Sequence, residues 1–134
     1  MKPLITLIFM AFATPAISQE IMSAEAFDSF SVGTTLYFYQ NGRFYGSEQF
    51  FENRQSVWRA EDGSCVNGQW EEVEEGICFS YDGSASMHCW QISRDNDTII
   101  IESLFPEAGQ NTTLLELGGQ DTIPVICTAP SLGV

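Results

Sequence analysis

Lysine is almost absent from this chain. Lys2 is the only one in 134 residues, and with four arginines it stands against 18 Asp and Glu, a formal net charge of −13. Nucleic-acid binding needs a basic footprint that displaces phosphate counterions, and none exists here, so no nucleic-acid partner is expected. The same charge sets the protein against an anionic membrane surface. Histidine is nearly as scarce. His88 stands alone, so any Ser–His–acid or Cys–His relay must pass through it. Cys65, Cys78, Cys89 and Cys127 contain no pair two to four residues apart, the spacing that a structural zinc site uses. No metal and no cofactor is expected. No apolar run reaches the roughly 20 residues of a membrane-spanning helix, and no collagen-like, repetitive or heptad pattern occurs.

What is present begins with a leader. Lys2 precedes an apolar stretch at residues 4–13 (LITLIFMAFA), followed by Pro15 and the small residues Ala16 and Ser18. This predicts a secretory signal peptide over residues 1–18 with cleavage before Gln19, and no membrane insertion afterwards. Residues 19–134 then form a single domain, with four arginines against 18 acids and a formal charge of −14. At 44% hydrophobic and 13% aromatic residues the chain is too apolar to stay disordered. Four cysteines in a short exported chain point to two disulfides and to a periplasmic or extracellular address.

Residues 23–30 (SAEAFDSF) predict one short helix, with Ser23 as N-cap, Phe27 and Phe30 on one face, and Gly33 as its stop. Beyond it the period changes to two. Strands are predicted over residues 34–40, 43–51, 56–60, 69–73, 76–81, 87–93, 98–104, 112–117 and 123–127, with Pro124 confining the last to an edge. Asn41-Gly42 signals a type I′ hairpin. Its register sets Tyr39 opposite Phe44, Phe38 opposite Tyr45, and Tyr37 opposite Gly46, a glycine covered by a cross-strand aromatic. A Gly83-Ser84 loop sets Asp82 opposite Ala85, Tyr81 opposite Ser86, Ser80 opposite Met87, Phe79 opposite His88, Cys78 opposite Cys89 and Ile77 opposite Trp90. Ile77, Phe79, Tyr81, Trp90 and Ile92 then share a core face. Cys78 lies within disulfide reach of Cys89, which leaves Cys65 for Cys127. The fold class is all-β: a small antiparallel barrel or sandwich, a meander with a short N-terminal helix.

Trp58, Gly68-Gln69-Trp70, Ile77-Cys78-Phe79-Ser80-Tyr81 and Cys89-Trp90-Gln91-Ile92 carry a resemblance. Over the middle third of the chain the layout resembles small secreted calycin-like β-proteins of alphaproteobacteria. The resemblance implies a fold and an address outside the cytoplasm, and no activity. Lipocalins place their G-x-W on the first strand; here it lies mid-chain, so no ligand binding is carried over from them.

The candidate chemistry is sparse. The register turns His88 toward the core face beside Trp90, a structural position, and no nucleophile can be set beside it. Glu71, Glu72, Glu74 and Glu75 concentrate at a turn, where adjacent strand residues diverge and cannot converge on calcium; a solvated turn is expected. Asp95-Asn96-Asp97 reads as a turn. Pairs such as Glu48 with Glu102 suggest a glycosidase only in the way any acid-rich chain does. Aromatics are in surplus, and Tyr37 and Tyr39 stand on the opposite face of their strand from Leu36 and Phe38. Tyr37, Tyr39 and Trp58 are therefore the candidate binding residues, on an exposed patch or at a barrel mouth. The leading expectation is a non-catalytic binding or inhibitor-like module with a protein partner of unknown identity. A small apolar-ligand carrier comes second and a cell-envelope hydrolase third. The intact mass of the exported protein should correspond to a chain starting at Gln19; retention of residues 1–18 would contradict the leader.

Overall fold

The computed structural model describes residues 19–106 and 109–128. The expected signal peptide over residues 1–18 and the last six residues of the chain lie outside the described residues. Within them run β1 (Glu20–Ile21), α1 (Ala24–Ser31), β2 (Thr35–Gln40), β3 (Arg43–Phe50), β4 (Gln55–Ala60), β5 (Cys65–Val73), β6 (Gly76–Tyr81), β7 (Met87–Asp95), β8 (Thr98–Ser103) and β9 (Leu114–Asp121). From β2 to β9 every strand pairs antiparallel with the next, and β9 pairs back onto β2. The result is a closed eight-stranded up-and-down barrel, which decides between the barrel and the sandwich. Closure also removes sheet edges. The short β1 takes the free flank of β7 beyond the end of β6, with Glu20 opposite Arg94 and Ile21 opposite Ser93.

α1 forms where the sequence places it. The Ser23 hydroxyl accepts the Ala26 N–H at 3.1 Å, and Gly33, at φ 76°, ends the helix. Its buried face, Ala24 and Phe27, closes one end of the barrel. Phe27 meets the rings of Phe50 and Trp70 edge-on at 5.3 Å each, and Arg54 lies 4.8 Å over the Trp70 ring. The opposite end, where the β2–β3, β4–β5, β6–β7 and β8–β9 connections gather, is the mouth.

Asn41 and Gly42 carry the positive φ of a type I′ turn, and Tyr39 stands opposite Phe44 as expected. Two residues further the register departs. Phe38 pairs with Gly46, leaving Tyr45 as the extra residue of a β-bulge. The expected pairs Phe38–Tyr45 and Tyr37–Gly46 therefore do not form. A one-residue slip turns every following side chain to the other face. Glu48, which the unbulged register would set opposite outward-facing Thr35, lies instead opposite inward-facing Leu36. Gly46 is covered by an aromatic ring, but by Trp58: a Cβ there would lie 2.3 Å from Trp58 Cζ2. A second bulge flanks β2 at the same height, where Gly118 is the extra residue of β9. β9 extends through Gly118-Gly119 because Tyr39 and Tyr37 pack over them and replace the missing side chains.

The β6–β7 pairs from Ser80–Met87 to Ile77–Trp90 match expectation. The turn is centred one residue earlier, on Asp82-Gly83, with the Ser84 N–H bonding to the Tyr81 carbonyl and Gly83 at φ 79°. Tyr81–Ser86 and Asp82–Ala85 are consequently unpaired. Residues 123–127 are not a strand. The closed barrel leaves them no edge, and Pro124 has no N–H to offer. They run as a strap across the outside. Thr35 Oγ1 donates to the Ile123 carbonyl at 2.7 Å, the Val125 N–H to Gln49 at 3.1 Å, and Arg59 Nε to the Ile126 carbonyl at 2.8 Å.

Cys65–Cys127 pins the end of the strap, and Cys78–Cys89 bridges β6 to β7 with Cα atoms 4.0 Å apart, as at a non-hydrogen-bonded pair. Among the described residues no helix is long and apolar enough to cross a membrane. Loop-closure entropy gives the bridges about 3 kcal/mol (Cys78–Cys89) and about 4 kcal/mol (Cys65–Cys127). Paired serine variants should show that order in urea unfolding. Non-reducing peptide mapping should recover only these two linkages, and a Cys65–Cys78 peptide would contradict the register.

Candidate functional site

Inward-facing aromatics do not fill the barrel. A cavity of about 370 Å³ runs from Phe27 on α1 to the mouth, where exposed Asp82, Ser84 and His88 line it beside Tyr45. Eight strands enclose an interior just wide enough to be packed with side chains or to hold one small ligand. Two glycines bear on which occurs here. Gly46 lets the Trp58 ring lie flat on the wall, 6.0 Å from Phe38 and 5.7 Å from Tyr45. Gly68 sits between Ser56 and Tyr81 on neighbouring strands, and a Cβ there would meet both at 2.7 Å.

That gap at Gly68 lets Ser56 and Tyr81 reach the same partner, Glu48. Ser56 Oγ donates to Glu48 Oε1 at 2.7 Å, and the Tyr81 hydroxyl lies 3.0 Å from Oε1 and 3.2 Å from Oε2. Glu48 is only 3% exposed. Burial in apolar surroundings pushes its carboxyl up to about 7, against the two hydroxyl hydrogen bonds, which lower it. Burial and the adjacent Glu48 charge together raise the Tyr81 phenol. A carboxylate offers about four acceptor positions; two hydroxyl hydrogens leave some of them unfilled. Tyr81 in turn stacks on Phe79 at 6.0 Å and stands 5.9 Å from the His88 ring.

The expected site residues divide. Trp58 lines the cavity. Tyr37 and Tyr39 lie on the outer face, half-buried: Tyr37 donates to Asp121 Oδ1 at 3.1 Å, and Tyr39 meets Phe44 edge-on at 5.7 Å. The three are not brought together. His88 pairs with Phe79 and lines the cavity with Trp90, the side its register suggested, but it is exposed at the mouth rather than held in the core. Glu48 and Glu102 are not a pair; Glu102 is exposed on the outside of β8. Glu71, Glu72, Glu74 and Glu75 are exposed around the β5–β6 turn, and Asn96, at φ 54°, forms the β7–β8 turn. No cluster of three or more potential metal ligands occurs among the described residues. Sequence reasoning missed Glu48 as an interior group, since only the bulge at Tyr45 turns it inward. Compared with protein-family models, with curated proteins and with solved structures, the chain matches none.

Glu48 makes stability depend on pH. Below its ordinary value of 4.5 the carboxyl is neutral in both folded and unfolded chains. Between 4.5 and about 7 the unfolded chain ionises while the folded chain keeps the proton, so stability falls as pH rises. Above 7 the full penalty applies, about 3 kcal/mol. In urea titrations from pH 4.5 to 8, Glu48→Gln should lose this part of the slope; parallel curves for both proteins would contradict the burial of an ionisable Glu48.

Proposed function

We propose that the protein binds a small, largely apolar molecule inside its barrel and acts as a carrier or scavenger outside the cytoplasm. The observation that carries the reading is the cavity itself: aromatic walls, an open mouth and one buried carboxyl with unused acceptor capacity. Ligand sites are typically apolar hollows of about 300–1,000 Å³ with a few fixed polar groups. An engineered apolar cavity of roughly 150 Å³ already accepts a benzene ring, so this one has room for a larger ring system. The two disulfides support an address in the periplasm or the exterior.

A protein-binding or inhibitor-like module acting through a tyrosine patch has less support, because Tyr37 and Tyr39 are engaged in covering Gly119 and Gly118. A hydrolase has less again. His88 meets the Tyr81 ring, and Ser56, the serine that donates to the interior carboxylate, is buried.

Trp58 and Trp90 line the cavity and report on its contents. The uncharged dye N-phenyl-1-naphthylamine should quench them saturably with a Kd of about 10 µM or tighter. Val66→Trp, which fills part of the cavity from β5, should weaken binding at least about tenfold while keeping the native circular dichroism. Absence of saturable binding, or equal binding by the folded variant, would defeat the carrier reading.

A further inference from the structure

We infer that the cavity selects hydrophobic amines, with Glu48 as the counter-ion of the ligand's ammonium group. This deepens the carrier reading and rests on it. The first observation is that, among the described residues, no cation serves Glu48. Lys2 lies outside the described residues, and each of the four arginines is placed elsewhere. Arg43 pairs with Glu61 on the surface, Arg54 covers Trp70, Arg59 holds the strap through the Ile126 carbonyl, and Arg94 is exposed at the opposite end of the barrel from the mouth. A buried carboxylate without a cation is costly, and a bound ammonium would supply the missing charge from inside the cavity.

The second observation is geometric. Ser56 and Tyr81 crowd Oε1, while Oε2 takes only the longer share of one hydroxyl, so an N–H donor arriving along the cavity has acceptor positions to meet. The third is the wall. Phe38, Tyr45, Trp58, Phe79, Tyr81 and Trp90 surround this space, and ammonium groups are attracted to aromatic faces within about 6 Å. At the mouth, Asp82 and the chain's excess of acids favour approach of a cation over an anion. The titratable groups facing the cavity besides Glu48 are Tyr45, Tyr81, His88 and Asp82.

Three probes of nearly equal shape separate the alternatives in calorimetric titrations of the exported protein: tryptamine, tryptophol and indole-3-acetate. At pH 8.5 tryptamine should bind at least about tenfold more tightly than tryptophol, the range of a hydrogen bond to a charged group. That preference should shrink at pH 5.5, and in Glu48→Gln it should fall at both values to the smaller share that the aromatic wall and Asp82 supply. His88 and Asp82 are present in both proteins, so the difference between them isolates Glu48. Equal binding of tryptamine and tryptophol by the wild-type protein would overturn the amine inference and leave the carrier reading standing. Tightest binding of indole-3-acetate at pH 5.5 would also overturn it, making protonated Glu48 a donor to acids. If none of the three binds, the amine inference fails, and the naphthylamine dye decides the carrier reading separately.

Discussion

The interior of this protein depends on where one carboxyl group is allowed to go. Glu48 sits inside a barrel whose other inward side chains are almost all apolar, and a buried charge is tolerated only when hydrogen-bonded or neutralised. The bulge at Tyr45 turns it inward, and Ser56 and Tyr81 reach it across Gly68. Were Tyr45 paired with Phe38 instead of bulged, Gly46, Glu48 and Phe50 would all change faces together. The register, the aromatic layer and the polar centre are therefore a single arrangement rather than three.

Glycine placement shapes the space around that centre. Gly46 and Gly68 face inward and give way to the rings of Trp58 and Tyr81, whereas Gly118 and Gly119 lie beneath Tyr39 and Tyr37 on the outside. Large rings laid flat over glycines line a wall without plugging the middle. At the α1 end the packing is different: Phe27, Phe50, Trp70 and Phe79 interlock at 5.3–6.3 Å, and three of these rings, Phe27, Phe50 and Phe79, line the base of the cavity. The barrel is thus closed at one end by an aromatic cluster and open at the other.

The outside is held by covalent and backbone links rather than by ion pairs. The single surface pair described, Arg43–Glu61 at 3.4 Å, joins two well-exposed side chains and contributes little. The C-terminal strap makes up for this by bonding to β2, β3 and β4 in turn before Cys127 joins Cys65 at the mouth. With so few cations the chain cannot neutralise its acids locally. Among the described residues it keeps the other acids exposed or half-buried, and Glu48 is the one it buries.

Much of this was legible in the residues themselves. The helix, its Ser23 cap, the eight strands β2 to β9, the Asn41-Gly42 turn and the pairing of all four cysteines follow from local rules: periodicity, capping, turn chemistry and the short reach of a disulfide, whereas the two-residue β1 does not. Each depends on residues close in sequence or, for Cys65–Cys127, on elimination. The tertiary structure alone decided the rest. Barrel or sandwich turned on whether β9 returns to β2, a contact between strands some 80 residues apart. The strap formed instead of an edge strand because closure left no edge. The cavity and the inward carboxyl turned on a bulge, and no local residue preference marks one unpaired tyrosine in a strand whose alternation reads equally well without it. A one-residue slip costs little locally and reassigns every side chain beyond it, so the sequence specified the strands while only their closure into a barrel fixed what they enclose.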